Sequence, residues 1–317
     1  MPRSGDYSVS VVIAAYNAAE WLGKAVMSAL NQTCKPLEVV VVDDGSEDNT
    51  AEIACVLGEN VRVIQQENAG AGAARNAGIR AAKGDFVAFL DSDDYWLEDK
   101  LEKQLAILRA NPSLRWCTGN YLIDIDGKPG KAEPDPASDT INFFTSYQAR
   151  TRGHTCAMLI ERGLLLEAGL FGEDITQSED TELWFKIAFR APELGYMREP
   201  LVVVRSVNEG SLTKGVPDVE IPLKIIARLL AEAKQLGVYE EFRPCAAAIV
   251  KWWVILLIYT DQSGDARRLM WWFAPLLTWK YLLRNYFISF FPDFYRHRIR
   301  RAVPSLKNKQ DMPQVDK

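Results

Sequence analysis

The run Phe86-Val87-Ala88-Phe89-Leu90 leads directly into Asp91-Ser92-Asp93-Asp94. A short, wholly apolar run of this kind has the length and character of a strand buried on both faces. Carboxylates cannot follow it into a core, so the strand must end at an open sheet edge. Two earlier runs behave alike: Ser8 to Ala15 ends in Tyr16-Asn17, and Leu37 to Val42 ends in Asp43-Asp44-Gly45-Ser46. Helical patterns lie between the strands. Leu22, Val26, Ala29 and Leu30 share one face, with Asn17 available as the cap. Thr50 to Leu57 and the alanine-rich Ala71 to Ala82 flank a further strand, Val61 to Gln65. Leu97 to Ala110 places Leu97, Leu101, Leu105 and Leu108 on one side. Strands alternating with helices predict an α/β fold, a Rossmann-like, mostly parallel sheet flanked by helices. Ligands in such sheets bind beyond the carboxyl ends of the strands, and here several of those ends are polar.

Composition narrows the class. The 317 residues suffice for one large domain with an appendage, and 48% hydrophobic with 25% charged is globular. The net charge of -5 speaks against general nucleic-acid binding. Cys34, Cys55, Cys117, Cys156 and Cys245 are scattered without a CxxC pair, as expected of reduced thiols in the cytoplasm. Met1 to Asp6 is polar and does not read as a signal peptide. His154 and His297 are the only histidines, which disfavours His-rich metal chemistry.

The pattern changes beyond Leu114. Leu114 to Ile123 and Thr155 to Ile160 read as strands, Lys131 to Asp139 as a surface loop, and Leu201 to Val204 as a short strand. A helix is expected from Glu179 or Asp180 to Arg190, with Ser178 as its cap. After Pro217 everything reads as helix. The expected organisation is a domain over 1–215, a helical region over 216–303 and a disordered tail over 304–317.

Asp91 and Asp93 can reach one cation, and Mg2+ or Mn2+ suits carboxylates combined with diphosphate oxygens. Isolated, such aspartates would more often cap the helix beginning near Leu97; the buried strand ahead of them reverses that preference. Asp43-Asp44-Gly45-Ser46 is either a plain turn or an acceptor for a base or ribose edge. Asn68 to Gly78 is rich in Gly and Ala, as suits a ligand near a helix N-terminus or tight packing of the helix on the sheet. It lacks the P-loop Lys. Glu179-Asp180 opens a helix, where acids complement the dipole; a general base there must also reach the hydroxyl it deprotonates.

Together these stretches resemble family 2 glycosyltransferases, inverting enzymes of the GT-A fold. The matching residues are Ser10 to Asn17, Gln32-Thr33, Val40 to Ser46, Asn68 to Gly78, Phe89 to Asp94, and Ser178 to Trp184. The resemblance spans roughly residues 8 to 212. It implies that Ala14, Tyr16, Asp44, Arg75, Asp91 and Ser92 bind a nucleotide-sugar, with UDP the usual nucleotide. It assigns Asp91 and Asp93 to the metal and Asp180 as general base. Glu179, Trp184 and Arg205 become candidate acceptor or phosphate contacts, with Arg205 and Ser211 matching a late R…S element; His154, beside the expected acceptor region, is either a structural histidine or a further contact of this kind. Leu170-Phe171-Gly172-Glu173 departs from the usual Gly-Phe-Asp. The QxxRW element of processive synthases is not visible, so one sugar per binding event is expected. The implied function is metal-dependent transfer of a sugar to a saccharide or lipid-linked acceptor hydroxyl in cell-surface polysaccharide or glycolipid synthesis. The competing readings are a sugar nucleotidyltransferase and a degenerate donor-binding module at a membrane. Ala14 to Asn17 lacks the basic glycine-rich loop of the former, and intact Asp91, Asp93 and Asp180 speak against the latter.

The C-terminal region carries Trp252, Trp253, Trp271, Trp272, Trp279, Tyr281, Tyr286, Phe287, Phe290 and Phe291, followed by Arg296, Arg298, Arg300 and Arg301. Lys251 interrupts the most apolar stretch, which disfavours a membrane span. Clustered aromatics beside cations suit peripheral contact with the cytoplasmic face of a membrane; a helical subdomain that buries them is the alternative.

Overall fold

The computed structural model of the chain describes residues 7–125, 128–131, 136, 138–149, 153–205 and 217–290. The expected tail over 304–317, Ser211, the arginines from Arg296 onward and most of the expected surface loop lie outside them. The chain divides into two compact units, Met1–Asn208 and Glu209–Lys317.

The first unit is built on an eight-stranded main sheet. β1 (Val9–Ala15), β2 (Glu38–Asp43), β3 (Val61–Gln65) and β4 (Phe86–Asp91) are joined by α1 (Leu22–Leu30), α2 (Thr50–Cys55) and α3 (Ala71–Ala81). After the two-residue β5 (Tyr95–Trp96) come α4 (Lys100–Ala110), β6 (Trp116–Gly119), β7 (Leu122–Ile125), β8 (Lys128–Lys131), β9 (Thr140–Asn142) and α5 (Phe143–Gln148). A 3-10 turn (Thr155–Ala157) precedes β10 (Leu159–Glu161), α6 (Arg162–Glu167), α7 (Glu179–Ala188), β11 (Glu193–Met197) and β12 (Val202–Arg205). The main sheet has the order β3-β2-β1-β4-β10-β6-β11-β9, and only β10 and β9 run against the rest. The mostly parallel sheet expected from the sequence is therefore what the chain forms. β5-β12-β7-β8 form a second, smaller sheet.

Strand periodicity sorts the core. Val9, Val11, Ile13, Val39 and Val41 pack with residues of α1, α2 and α4, whereas Val40 and Val42 pack with Ala74 of α3 on the other face. Full burial of each such side chain contributes about 1.5–3 kcal/mol. The small residues of α3 serve this packing. A Cβ at Gly78 would lie 2.3 Å from Val12 Cγ1, so only glycine lets the helix approach β1 this closely.

Several local expectations are corrected. Asn17 does not cap α1, which starts at Leu22. Its backbone is left-handed (φ 48°), and its Oδ1 accepts from Glu47 N at 2.8 Å instead. Leu97 lies ahead of α4 and is exposed, while Leu101, Leu105 and Leu108 are buried as read. The stretch read as one strand from Leu114 to Ile123 breaks into β6 and β7, which belong to different sheets. Met197 O takes the Asn120 N–H at the break.

The second unit, among its described residues, consists of α8 (Glu220–Gln235), α9 (Tyr239–Tyr259), α10 (Ser263–Trp272), a 3-10 turn (Ala274–Leu276) and α11 (Trp279–Ile288). Ile225, Ile226, Leu229 and Ala233 of α8 are buried as the amphipathic pattern requires. α9 is a single 21-residue helix, longer than the apolar stretch suggested. It is long and apolar enough to cross a membrane, but 56% of its apolar window is buried, as in the core helix of a bundle. Trp253 is buried, whereas Trp252, Trp271, Trp272, Trp279, Tyr286, Phe287 and Phe290 are exposed. Internal burial of the aromatics therefore holds for only part of the set.

Candidate active site

Parallel register brings the polar strand ends level. Ala14 pairs with Val42 on one side and with Asp91 on the other, and Ala15 pairs with Asp43. Tyr16, just beyond, is half exposed. The loops that follow are tied to one another. Asn17 N donates to Ser46 Oγ at 2.9 Å, and Ala18 N donates to Thr50 Oγ1 at 2.8 Å. The Asp48 carboxylate accepts from Ala19 N and Thr50 N. Asp44 is buried and organises the next loop: it accepts from Ala69 N at 2.9 Å, Gly70 N at 2.8 Å and Gln66 Nε2 at 2.7 Å. Gly45, in left-handed conformation (φ 76°), lets this turn close, since a Cβ there would meet Asn68 N at 2.9 Å. Asp44 thus acts first as the anchor of the 66–70 loop.

Arg75 joins the acidic motif to the later helix. Its Nη2 lies 2.8 Å from Asp91 Oδ1 and its Nη1 lies 2.9 Å from Glu179 Oε1. The guanidinium is buried and lies over the Phe171 ring at 5.5 Å. Burial opposes ionisation of Asp91, but the Arg75 charge, helped by His154, outweighs it and holds the carboxyl below its usual range. Glu179 goes the other way. Burial and the neighbouring Asp180 charge raise it, despite Arg75.

Asp93 and Asp94 do not cap α4, whose N-cap position is Asp99. The helix-cap alternative for the motif is thereby removed. Asp94, to which the sequence attached no separate role, is buried; its Oδ1 accepts from Arg205 N at 2.8 Å and its Oδ2 accepts from the Cys156 thiol at 2.9 Å. Cys156 Sγ also accepts from Asp91 N at 3.2 Å. His154 Nδ1 stands 4.0 Å from Asp94 Oδ2, and its ring packs near Tyr121. No hydrogen bond to another described residue holds the Asp93 carboxylate. Burial and the Asp91 charge raise Asp93; burial, Asp91 and Asp93 raise Asp94 well above the usual range. Such mutual repulsion is what a divalent cation relieves, so the carboxylates present fit Mg2+ or Mn2+. Ligand atoms of Asp91, Asp94, His154 and Cys156 lie within 4.8 Å of one another; this set shares Asp91 with the sequence pair but holds Asp94, His154 and Cys156 where the sequence reading had Asp93. A scattered cysteine offers no sequence signal for such a position; only the turn into β10 brings Cys156 there.

Asp180 sits in the first turn of α7. Its Oδ1 accepts from Thr181 N at 2.6 Å, while Oδ2 makes only a long contact, 3.4 Å, with Thr155 Oγ1. The second oxygen is thus the less committed one. Ser178 occupies the N-cap position, but in left-handed conformation (φ 62°) and without a side-chain capping bond. A non-glycine residue held there is strained, and such strain gathers at working sites. Arg205 lies 3.7 Å over the Trp21 ring, and its buried Nη1 has no hydrogen-bond partner among the described residues. Trp184 is buried against Phe89 and Phe171, a packing position in the core instead of a place on the rim. Ser92 lies in the turn between Asp91 and Asp93 and is half buried.

Residues 10–165 match the model of Glycosyl transferase family 2. An uncharacterized glycosyltransferase of Rickettsia felis is 37% identical over 191 residues, 58% of this chain and 32% of the relative. The chain therefore spans about a third of that relative's length. TuaG of Bacillus subtilis, named for teichuronic acid biosynthesis, is 41% identical over 125 residues, 38% of this chain and 50% of its own. The crystal structure of S. aureus TarS 1-349 in complex with UDP-GlcNAc superposes with a TM-score of 0.66 at 19% identity, covering 93% of this chain and 92% of that one.

Proposed function

The chain belongs to glycosyl transferase family 2 and has a GT-A-like fold, and on that premise we propose that it is an inverting glycosyltransferase. It moves a sugar from a nucleotide-sugar, UDP being the nucleotide, to a hydroxyl of a saccharide or lipid-linked acceptor. Its work is in cell-surface polysaccharide or glycolipid synthesis, in the cytoplasm at the membrane face. The UDP-GlcNAc in the TarS complex and the teichuronic acid role named for TuaG support these choices.

The observation that carries the reading is the Arg75 bridge. One guanidinium pairs with Asp91 of the acidic motif and with Glu179, the neighbour of Asp180. In the proposed reaction Asp180 Oδ2 takes the proton of the acceptor hydroxyl as its oxygen bonds to the anomeric carbon. The bond from that carbon to the diphosphate oxygen breaks, and the electron pair leaves on the nucleoside diphosphate. Ala14, Tyr16, Asp44 and Ser92 hold the donor. Arg205 supplies a cation toward the growing negative charge, its Nη1 having no partner among the described residues. Asp91 and Asp93 would hold Mg2+ or Mn2+, which when bound neutralises charge on the leaving diphosphate. Arg75, by pairing with Asp91, holds that carboxylate ionised.

The test couples release of nucleoside diphosphate to donor binding measured by calorimetry. Asp180→Asn should bind donor as the unaltered chain does and release product far more slowly; full activity in that variant would remove Asp180 as base.

A further inference from the structure

α11 turns most of its large apolar side chains outward. In a water-soluble bundle the apolar stripe of an amphipathic helix faces the core and its polar residues face water. Here the buried positions are Asn285, at 0% exposure, and Ser289, at 2%. Among the exposed apolar positions, Trp279, Leu283, Tyr286 and, just past the helix end, Phe290 are spaced four, three and four residues apart. Their exposures run from 54 to 67%. The inward polar groups are partly accommodated: Asn285 Nδ2 donates to Tyr281 O at 2.9 Å, and Ser289 Oγ accepts from Arg267 Nη1 at 3.1 Å. The end of α10 adds Trp271 and Trp272, at 83% and 64% exposure.

The charge pattern identifies what this surface meets. From Ala266 to Phe290 the sequence has no Asp or Glu, but has Arg267, Arg268, Lys280 and Arg284. Lys280 and Arg284 are exposed on the same helix as the aromatic stripe. Tryptophan and tyrosine beside lysine and arginine suit the boundary between acyl chains and headgroups, where the rings are half apolar and the cations meet anionic phosphates. A second copy of the chain fits poorly. A two-fold contact through this face would set Lys280 and Arg284 near their own copies with no carboxylate on the stretch to compensate.

We propose that the outward face of α11 and the Trp271-Trp272 end of α10 dock the protein on the surface of a bilayer rich in anionic lipid. The helices lie in the interface and do not cross it. This deepens the membrane placement in the proposed function and rests on that reading, while being independent of the chemistry at Asp180. A lipid-linked acceptor would then be met at the surface where its headgroup lies.

The test is flotation of the full chain with extruded vesicles. Phosphatidylcholine vesicles containing phosphatidylglycerol should carry the protein, and pure phosphatidylcholine should carry roughly tenfold less, because each basic residue near an anionic surface adds to the attraction. Trp279→Glu combined with Leu283→Glu should abolish flotation. Lys280→Gln combined with Arg284→Gln should lower it roughly tenfold on the anionic vesicles only. Both pairs are solvent-exposed, and circular dichroism and donor binding should match the unaltered chain. No flotation with anionic vesicles, or equal flotation of the Trp279→Glu/Leu283→Glu variant, would overturn the proposal. So would self-association that this variant abolishes in the absence of vesicle binding. Failure here leaves nucleoside diphosphate release intact, whereas failure of the glycosyltransferase reading leaves flotation intact.

Discussion

Arg75 Nη2 and Asp91 Oδ1 are 2.8 Å apart, in a pair whose side chains are only 10% and 25% exposed. The same guanidinium pairs with Glu179. One residue of α3 therefore sets the acid at the end of β4 against the acid that opens α7. Replacing Arg75 by Gln leaves two buried carboxylates facing each other, and should destabilise the fold by about 3 kcal/mol. Arg75→Lys can serve only one carboxylate at a time and should fall between the two. Urea denaturation of the three proteins checks the order.

Acidification should stabilise the metal-free protein before it harms it. Asp93, Asp94 and Glu179 have folded values raised chiefly by burial, so from about pH 4 upward these three groups hold more protons in the folded state than in the unfolded chain. Their contribution to stability in that window falls as pH rises. Asp91 has the opposite sign: its contribution is present above about pH 4 and is lost as pH falls through its depressed folded value. Denaturation in chelator across this range should show the slope, and saturating Mg2+ or Mn2+ should flatten it. A flat profile in chelator would contradict the arrangement.

Asp180→Asn should lower product release by roughly 10²–10⁴-fold, the usual worth of a positioned general base. Donor affinity, measured by calorimetry, should change little, because the group acts on the acceptor proton.

Removal of divalent cation should depress turnover and leave the fold in place, since the main sheet's core is built from apolar side chains and not from the carboxylates. Chelator titration followed by activity and by far-ultraviolet circular dichroism would separate the two effects. Asp93→Asn should weaken metal-dependent donor binding in the same way.

Gly78→Ala should cost about 1–3 kcal/mol by overpacking, because the new Cβ falls 2.3 Å from Val12 Cγ1. Val12→Ala in the same chain should recover part of that loss. A double-mutant cycle in urea measures the coupling, and additive losses would place the clash elsewhere.

Most of the sheet was readable because strand burial writes itself into local pattern. Val9 to Ala15, Glu38 to Asp43 and Phe86 to Asp91 are apolar runs ending in polar groups, and they form β1, β2 and β4 with those ends level. Helix starts were less readable. Asn17 and Ser178 are good capping residues by type, yet both are left-handed and neither caps its helix through the side chain. The reason is competition: for Asn17, a neighbouring loop takes the side-chain oxygen that the helix would have used.

The chain's own order of residues determined the alternation of strand and helix, the acidic strand ends and the family, since these rest on periodicity and on short motifs. Tertiary structure alone decided the partners of each charge. Arg75 meets Glu179 across 104 positions, and Cys156 meets Asp94 across 62. It also decided that Trp184 and Trp253 go inward while Trp271 and Trp279 face out. Periodicity reports which face of an element is apolar, but the burial of that face depends on what the rest of the chain brings against it.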